Sequence, residues 1–190
     1  VEIKDGAIAS YLSAQDTPIN PDLYYQKLTN IIPEAREFLN LIKLTIESVK
    51  LNESSKIFAS KLGLEKGISG YIYHTIPMVI HPWLTYPEDY ENGIKEIIKL
   101  GGDTDTTAAI LGGIIGAKVG KKGIPKNWLN KLWLYPFNLT WLEKLGKKLT
   151  DVTINNQKQN YVLFPIYGLW LRNIIFFLIV IIHLVYGILL

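Results

Sequence analysis

Apolar residues recur along this chain at spacings of three and four, and polar or proline-bearing stretches separate the runs. In EAREFLNLIKLTIESVK, Phe38, Leu41, Ile42, Ile46 and Val49 share one face of a helix, and Pro33 is expected to open it. Upstream, Asp22 is expected to cap LYYQKLTNII, and a short apolar helix precedes the Pro18–Pro21 loop. NESSKIFASKLG carries a Glu and Ser start and a Gly63 stop. GISGYIYHTIPMVIHPWLTYP alternates as a strand would, yet Pro77 and Pro82 exclude a central strand. A helix restarted or kinked at Pro77 is expected there. PEDYENGIKEIIKLG predicts an amphipathic helix with Ile94, Ile97 and Ile98 inward and Gly101 ending it. IPKNWLNKLW and NLTWLEKLGKKL add two more. Nothing alternates strand with helix, and no segment repeats, so the fold class is all-α.

The pattern changes at the far end. Residues 173–190, NIIFFLIVIIHLVYGILL, carry no formal charge when His183 is neutral, and Arg172 is the sole charge from Tyr161 onward. Such a run is long enough to be a transmembrane candidate, since about 18 apolar residues meet that test. Trp170 and Tyr186 stand near its ends, where amphipathic rings favour the interface. The alternative is a buried helix of a larger assembly. His183 reads as incidental.

Charge is divided along the chain. Residues 1–117 hold ten Lys/Arg against fifteen Asp/Glu, whereas residues 118–158 hold nine lysines against Glu143 and Asp151. The lysine band has neither clustered arginine nor a nucleic-acid-binding motif, so nucleic acid is not the expected partner. Its place before an apolar tail suits phospholipid headgroups, or simply a solvated helical face, and puts the N-terminal side in the cytoplasm. Without cysteine, disulfides and thiolate metal sites are excluded, and any metal must take oxygen or histidine nitrogen.

The densest chemistry lies in LGGDTDTTAAILGGIIGAKVG. One Asp or Thr would be enough to cap a helix. Asp103 and Asp105, two residues apart, repel each other unless a cation or several donors compensate. In an extended turn both carboxylates could aim at one point, with Thr106 adding a hydroxyl oxygen. Hard oxygen ligands favour Mg²⁺, Mn²⁺ or Ca²⁺. An EF-hand loop beginning at Asp103 fails, because Ala108 and Ile114 replace its glycine and glutamate. Asp103, Asp105 and Thr107 also spell the D-x-D-x-T of haloacid-dehalogenase phosphatases, but no buried strand precedes them. After the turn, Ala108, Gly112, Gly116 and Gly120 recur every four residues, which predicts a groove closely approached by a neighbouring helix.

LGGDTDTTAAILGGIIGAKVG followed by GIPKNWL resembles the C-terminal signature of the ADP-ribosylglycohydrolase family. GISGYIYHTIPMVIHPWL is similar to that family's glycine–tyrosine segment, and DGAIASYL resembles a helix near the middle of its domain. The resemblance implies an orthogonal helical bundle around two Mg²⁺ or Mn²⁺ ions. Asp103, Asp105 and Thr106 would be metal ligands. Tyr71 would line the ADP-ribose pocket, with His74 beside it or merely packed in its helix. The implied substrates are ADP-ribosylated proteins or small ADP-ribose conjugates.

The family also carries a Thr-Asp-Asp cluster and a further acidic ligand in an N-terminal half, which has no counterpart here: TPINPD is no such cluster, and Glu2 and Asp5 fall in the wrong part. The expected organisation is therefore an incomplete domain over 1–152, a linker over 153–165 and a hydrophobic helix over 166–190. As a fragment, the chain is expected to be inactive alone, the missing half lying upstream in the same protein or in a separate N-terminal half-domain. A membrane-tethered binding or scaffold protein that kept the fold without catalysis is the alternative.

Overall fold

A computed structural model describes residues 20–133, 135–153 and 157–189. The short helix expected before Pro18 lies outside them. The described residues are helical throughout, with no strand among them: α1 (Pro21–Ile31), α2 (Arg36–Lys50), α3 (Ser55–Lys61), α4 (Ile72–Thr85), α5 (Tyr90–Lys99), α6 (Thr104–Gly123), α7 (Lys126–Lys131), α8 (Leu139–Thr153) and α9 (Ile166–Leu189). They form two compact units that divide at Pro125.

In the first unit α4 is central. Every residue from Thr75 to Trp83 is buried, so the helix is enclosed on all sides. It packs against α2, α3, α5 and α6. This explains why the 71–85 segment has no clean amphipathic period. Pro77 and Pro82 lie inside one continuous helix, so Pro77 does not start a new one. Each proline removes a backbone donor, at a typical cost of about 3 kcal/mol. Burial of Ile76, Met78, Val79, Ile80 and Trp83 offsets this at about 1.5–3 kcal/mol per large side chain. Tyr24 of α1 meets Trp83 edge-on at 5.3 Å, and Phe38 of α2 meets Tyr73 at 5.2 Å.

Several boundaries differ from the sequence expectation. Asn20, not Asp22, caps α1, its Oδ1 accepting from the amides of Asp22 and Leu23 at 3.0 and 3.2 Å. Pro21 takes the first helical position instead, where its missing N–H costs nothing. Asp22 pairs with Lys50. Pro33 sits in a turn, and α2 begins only at Arg36. Of the three isoleucines on α5, Ile94 and Ile97 are buried, but Ile98 is exposed. The α5 stripe is thus narrower than its composition suggested.

The glycine ladder of α6 is only partly a groove. A Cβ on Gly112 would lie 2.9 Å from the Tyr90 hydroxyl and one on Gly116 3.6 Å from the same ring, so α5 fills these positions with a side chain. Gly120 is different. Its φ of 61° breaks the helix, and nothing approaches it.

The second unit has a small aromatic centre. Phe137 lies 4.7 Å from Trp141 and 5.4 Å from Phe164, and the Trp141 indole donates to the Leu163 carbonyl at 2.9 Å. Asn138 Oδ1 accepts from the Trp141 amide and caps α8. α9 holds a 22-residue stretch, Ile166–Gly187, that is apolar and long enough to cross a membrane, and none of it is buried.

Candidate functional site

The loop before α4 and the turn before α6 are clamped together by backbone. Ile68 and Gly102 form a parallel bridge: the Ile68 amide donates to the Gly101 carbonyl at 3.1 Å, and the Asp103 amide donates to the Ile68 carbonyl at 2.7 Å. Gly102 has φ 80°, and a Cβ there would stand 2.2 Å from the Ile68 carbonyl oxygen. Gly67, with φ 113°, approaches from the other side, where a Cβ would stand 2.6 Å from the Gly102 amide nitrogen. Both positions therefore require glycine. This clamp brings Ser69, Gly70 and Tyr71 beside Asp103.

Asp103 occupies the N-cap position of α6, yet its carboxylate makes no capping bond. The buried Thr107 hydroxyl donates back to the Asp103 carbonyl at 2.8 Å, beside the Thr107 amide. The turn is not extended as expected, because the helix begins at Thr104 and Asp105 already belongs to its first turn. The two carboxyls nonetheless meet. The Asp105 carboxyl is held below the usual carboxylate range, first by a hydrogen bond with the Asp103 side chain and then by the amides of Thr106 and of Asp105 itself. Two carboxyls in contact need a proton or a cation between them. Asp105 and Thr106 are exposed, and Asp103 is half-buried.

A Cβ on Gly70 would lie 3.2 Å from Asp103 Oδ2, so glycine leaves this oxygen room. Next to it the Tyr71 ring is exposed and meets the His74 imidazole edge-on at 5.1 Å. His74 Nδ1 is 2.9 Å from Ser69 Oγ, which also accepts from the Tyr71 amide at 3.3 Å. Ser69 thus ties the loop to the helix start. Its part was not foreseen from sequence.

The donor set suits a hard divalent cation in chemistry: two carboxyls, one of them free of capping duty, and a solvent-facing hydroxyl on the next residue. It is a partial set. Among the described residues no group of three or more His, Asp or Glu side chains gathers anywhere.

A second polar cluster lies elsewhere in the first unit. His81 is fully buried in α4, stacked on Phe58 at 5.0 Å, with Ser55 Oγ 3.1 Å from Nδ1 and Ser48 Oγ 3.3 Å from Nε2. Ser48 donates onward to Glu53, which pairs with Lys61. Burial pushes the imidazole down to about 4, so it is neutral at pH 7. Sequence offered no sign of this role for a histidine next to a proline.

The family model for ADP-ribosylglycohydrolase matches residues 6–159. Among curated proteins, the ADP-ribosyl-[dinitrogen reductase] glycohydrolase of Rhodospirillum rubrum is 36% identical over 64 residues, which is 34% of this chain and 21% of that protein. The ADP-ribosylarginine hydrolase Tri1 of Serratia proteamaculans (strain 568) is 38% identical over 65 residues, 34% of this chain and 17% of that protein. The matched stretches thus span about a fifth of each relative's length. No solved structure matches the chain significantly. With an all-helical architecture and a family match over most of its length, this chain belongs to the ADP-ribosylglycohydrolase family.

Proposed function

We propose that this chain supplies one wall of a metal-dependent hydrolase site that cleaves ADP-ribose from a modified protein side chain or small acceptor. One observation carries the reading: the Asp103 carboxyl stands at a helix start without capping it, touches the Asp105 carboxyl, and faces a gap kept open by Gly70. Asp103, Asp105 and Thr106 would hold Mg²⁺ or Mn²⁺. When bound, the cation supplies Lewis acidity and a template that orients ribose hydroxyls and a water. Tyr71 offers an exposed ring against which a ligand can pack, and His74, fixed by Ser69, borders it. The names of the relatives supply the substrate class, an ADP-ribosylated protein.

Two carboxyls and a hydroxyl leave about half of an octahedral set to water, so residues 1–190 alone bind the cation weakly and do not turn over substrate. The remaining ligands would come from the N-terminal half of the domain, whether in the same polypeptide or in a partner. Calorimetric titration with Mg²⁺, Mn²⁺ and ADP-ribose tests the site. Binding that disappears in Asp103→Ala supports it. No binding of either favours the second reading, a scaffold without catalysis, which the lack of a third acidic ligand among the described residues also fits. Release of ADP-ribose by residues 1–190 alone would refute the inactivity.

The same proposal places the chain at a membrane. α9 presents an unburied apolar stretch of spanning length, and the lysines before it set the preceding part on the cytoplasmic side.

A further inference from the structure

Within the second unit, the turn after α7 lies against α9 and forms a cleft of about 300 Å³ lined by Trp133, Tyr135, Arg172, Ile175, Phe176 and Ile179. The cleft is built into the packing. A Cβ on Gly168 would lie 2.3 Å from the Pro136 side chain, so only glycine lets the turn rest directly on the helix. Phe137, tilted against Trp141 and edge-on to Phe164, holds the other end of the turn in place.

Its chemistry is graded along the helix axis. Arg172 closes one end, and Ile175, Phe176 and Ile179 continue away from it in the direction of the apolar run. From Asn173 to Leu189, the 17 remaining residues of α9 carry no formal charge. At 1.5 Å per residue they extend roughly 26 Å, close to the roughly 30 Å hydrocarbon core of a bilayer. Arg172 therefore falls at the rim of that core, at headgroup level. Among the described residues its guanidinium donates only to the neighbouring Asn173 Oδ1, at 3.4 Å from Nε and 3.2 Å from Nη2, which leaves further donors to meet an anion. Trp133 is 87% exposed, costly in water and suited to an interface. Residues 126–190 carry seven Lys/Arg against two carboxylates, which also favours an anionic surface.

We infer that this cleft seats one anionic glycerophospholipid, its phosphate on the Arg172 guanidinium and the upper part of an acyl chain along Ile175, Phe176 and Ile179. Arginine suits the task because its planar fork pairs with phosphate oxygens through two parallel bonds. The inference rests on α9 entering a membrane and adds to it a stoichiometric lipid site.

The test uses the full chain reconstituted in phosphatidylcholine vesicles containing phosphatidylglycerol. Carbonate extraction reads insertion, and native mass spectrometry after detergent transfer reads the retained lipid. Wild type is expected in the pellet, keeping one phosphatidylglycerol about tenfold in preference to phosphatidylcholine. Arg172→Gln and Gly168→Leu should both stay in the pellet and lose that preference, the first by removing the charge, the second by driving the turn off the helix. Insertion without preference in wild type, or a preference that survives either variant, overturns the lipid site and leaves the anchor standing. Extraction of wild type into the supernatant overturns both.

Discussion

The Gly70 backbone and the Asp103 carboxylate are in near contact: a single added carbon on Gly70 would stand 3.2 Å from Asp103 Oδ2. Glycine at position 70 thus acts as a spacer for the proposed ligand. Gly70→Ala should push the carboxylate aside by a few tenths of an ångström. Mn²⁺ binding measured by calorimetry is expected to weaken about tenfold, with little loss of thermal stability.

Asp103 gives the helix no side-chain cap, and this separates binding from stability. Asp103→Asn should abolish the metal heat yet change unfolding free energy by no more than about 0.5 kcal/mol. Asp89 is the internal control, since its carboxylate does cap α5 by accepting from the Asn92 amide at 3.0 Å. Asp89→Ala should cost about 1 kcal/mol in urea unfolding while leaving metal binding intact. Equal stability losses in the two variants would contradict the assignment.

The backbone clamp is more demanding. At Gly102 a side chain would meet both an unfavourable φ of 80° and the Ile68 carbonyl at 2.2 Å. Gly102→Ala is therefore expected to cost about 2 kcal/mol or more and to remove metal binding as well. Gly113 has open space around it and serves as a comparison: Gly113→Ala should be neutral or stabilising, because α6 gains helix propensity there.

His81 predicts a pH dependence. Unfolded, it takes a proton near 6.5; folded, burial delays protonation to about 4. Between these values the unfolded chain binds more protons than the folded one, so stability falls as pH is lowered through the window. The loss from this group is complete below about pH 4 and amounts to on the order of 3 kcal/mol. Glu53, whose carboxyl is lowered by its hydrogen bonds with Lys61 and Ser48, adds a loss of the same sign as pH falls through the carboxylate range. Urea unfolding at pH 7.5, 5.5 and 4.5 measures the slope. His81→Leu should flatten it above pH 5, at the expense of lower stability at neutral pH, because Ser48 and Ser55 lose a partner.

The anchor has its own check. A fusion truncated after Asn160 should partition into the soluble fraction, whereas the full chain should sediment with membranes. Equal solubility of the two would remove the membrane role of α9.

What the sequence determined by itself was local. Glycine and capping residues mark where several helices start and stop, because those choices depend on the few residues around each terminus, whereas Pro33 and Pro77 start no helix. Gly63 and Gly101 stop helices, Ser54 caps one, and the apolar tail announces its own length. Asp103 and Asp105 were legible as an unusual pair because two adjacent carboxylates are unfavourable without a compensating partner.

Tertiary structure decided the rest, since it turned on residues far apart in the chain. The bridge to Ile68 fixes the Asp103 backbone, and the room at its side-chain oxygen depends on Gly70, more than thirty positions earlier. Ile98 faces out, although it sits beside a buried Ile97, because neighbouring helices cover only part of α5. His81 is neutral because Ser48, Ser55 and Phe58 enclose it from α2 and α3. Local propensity specifies where the chain turns, but burial and the distances between functional groups arise only when separate helices meet.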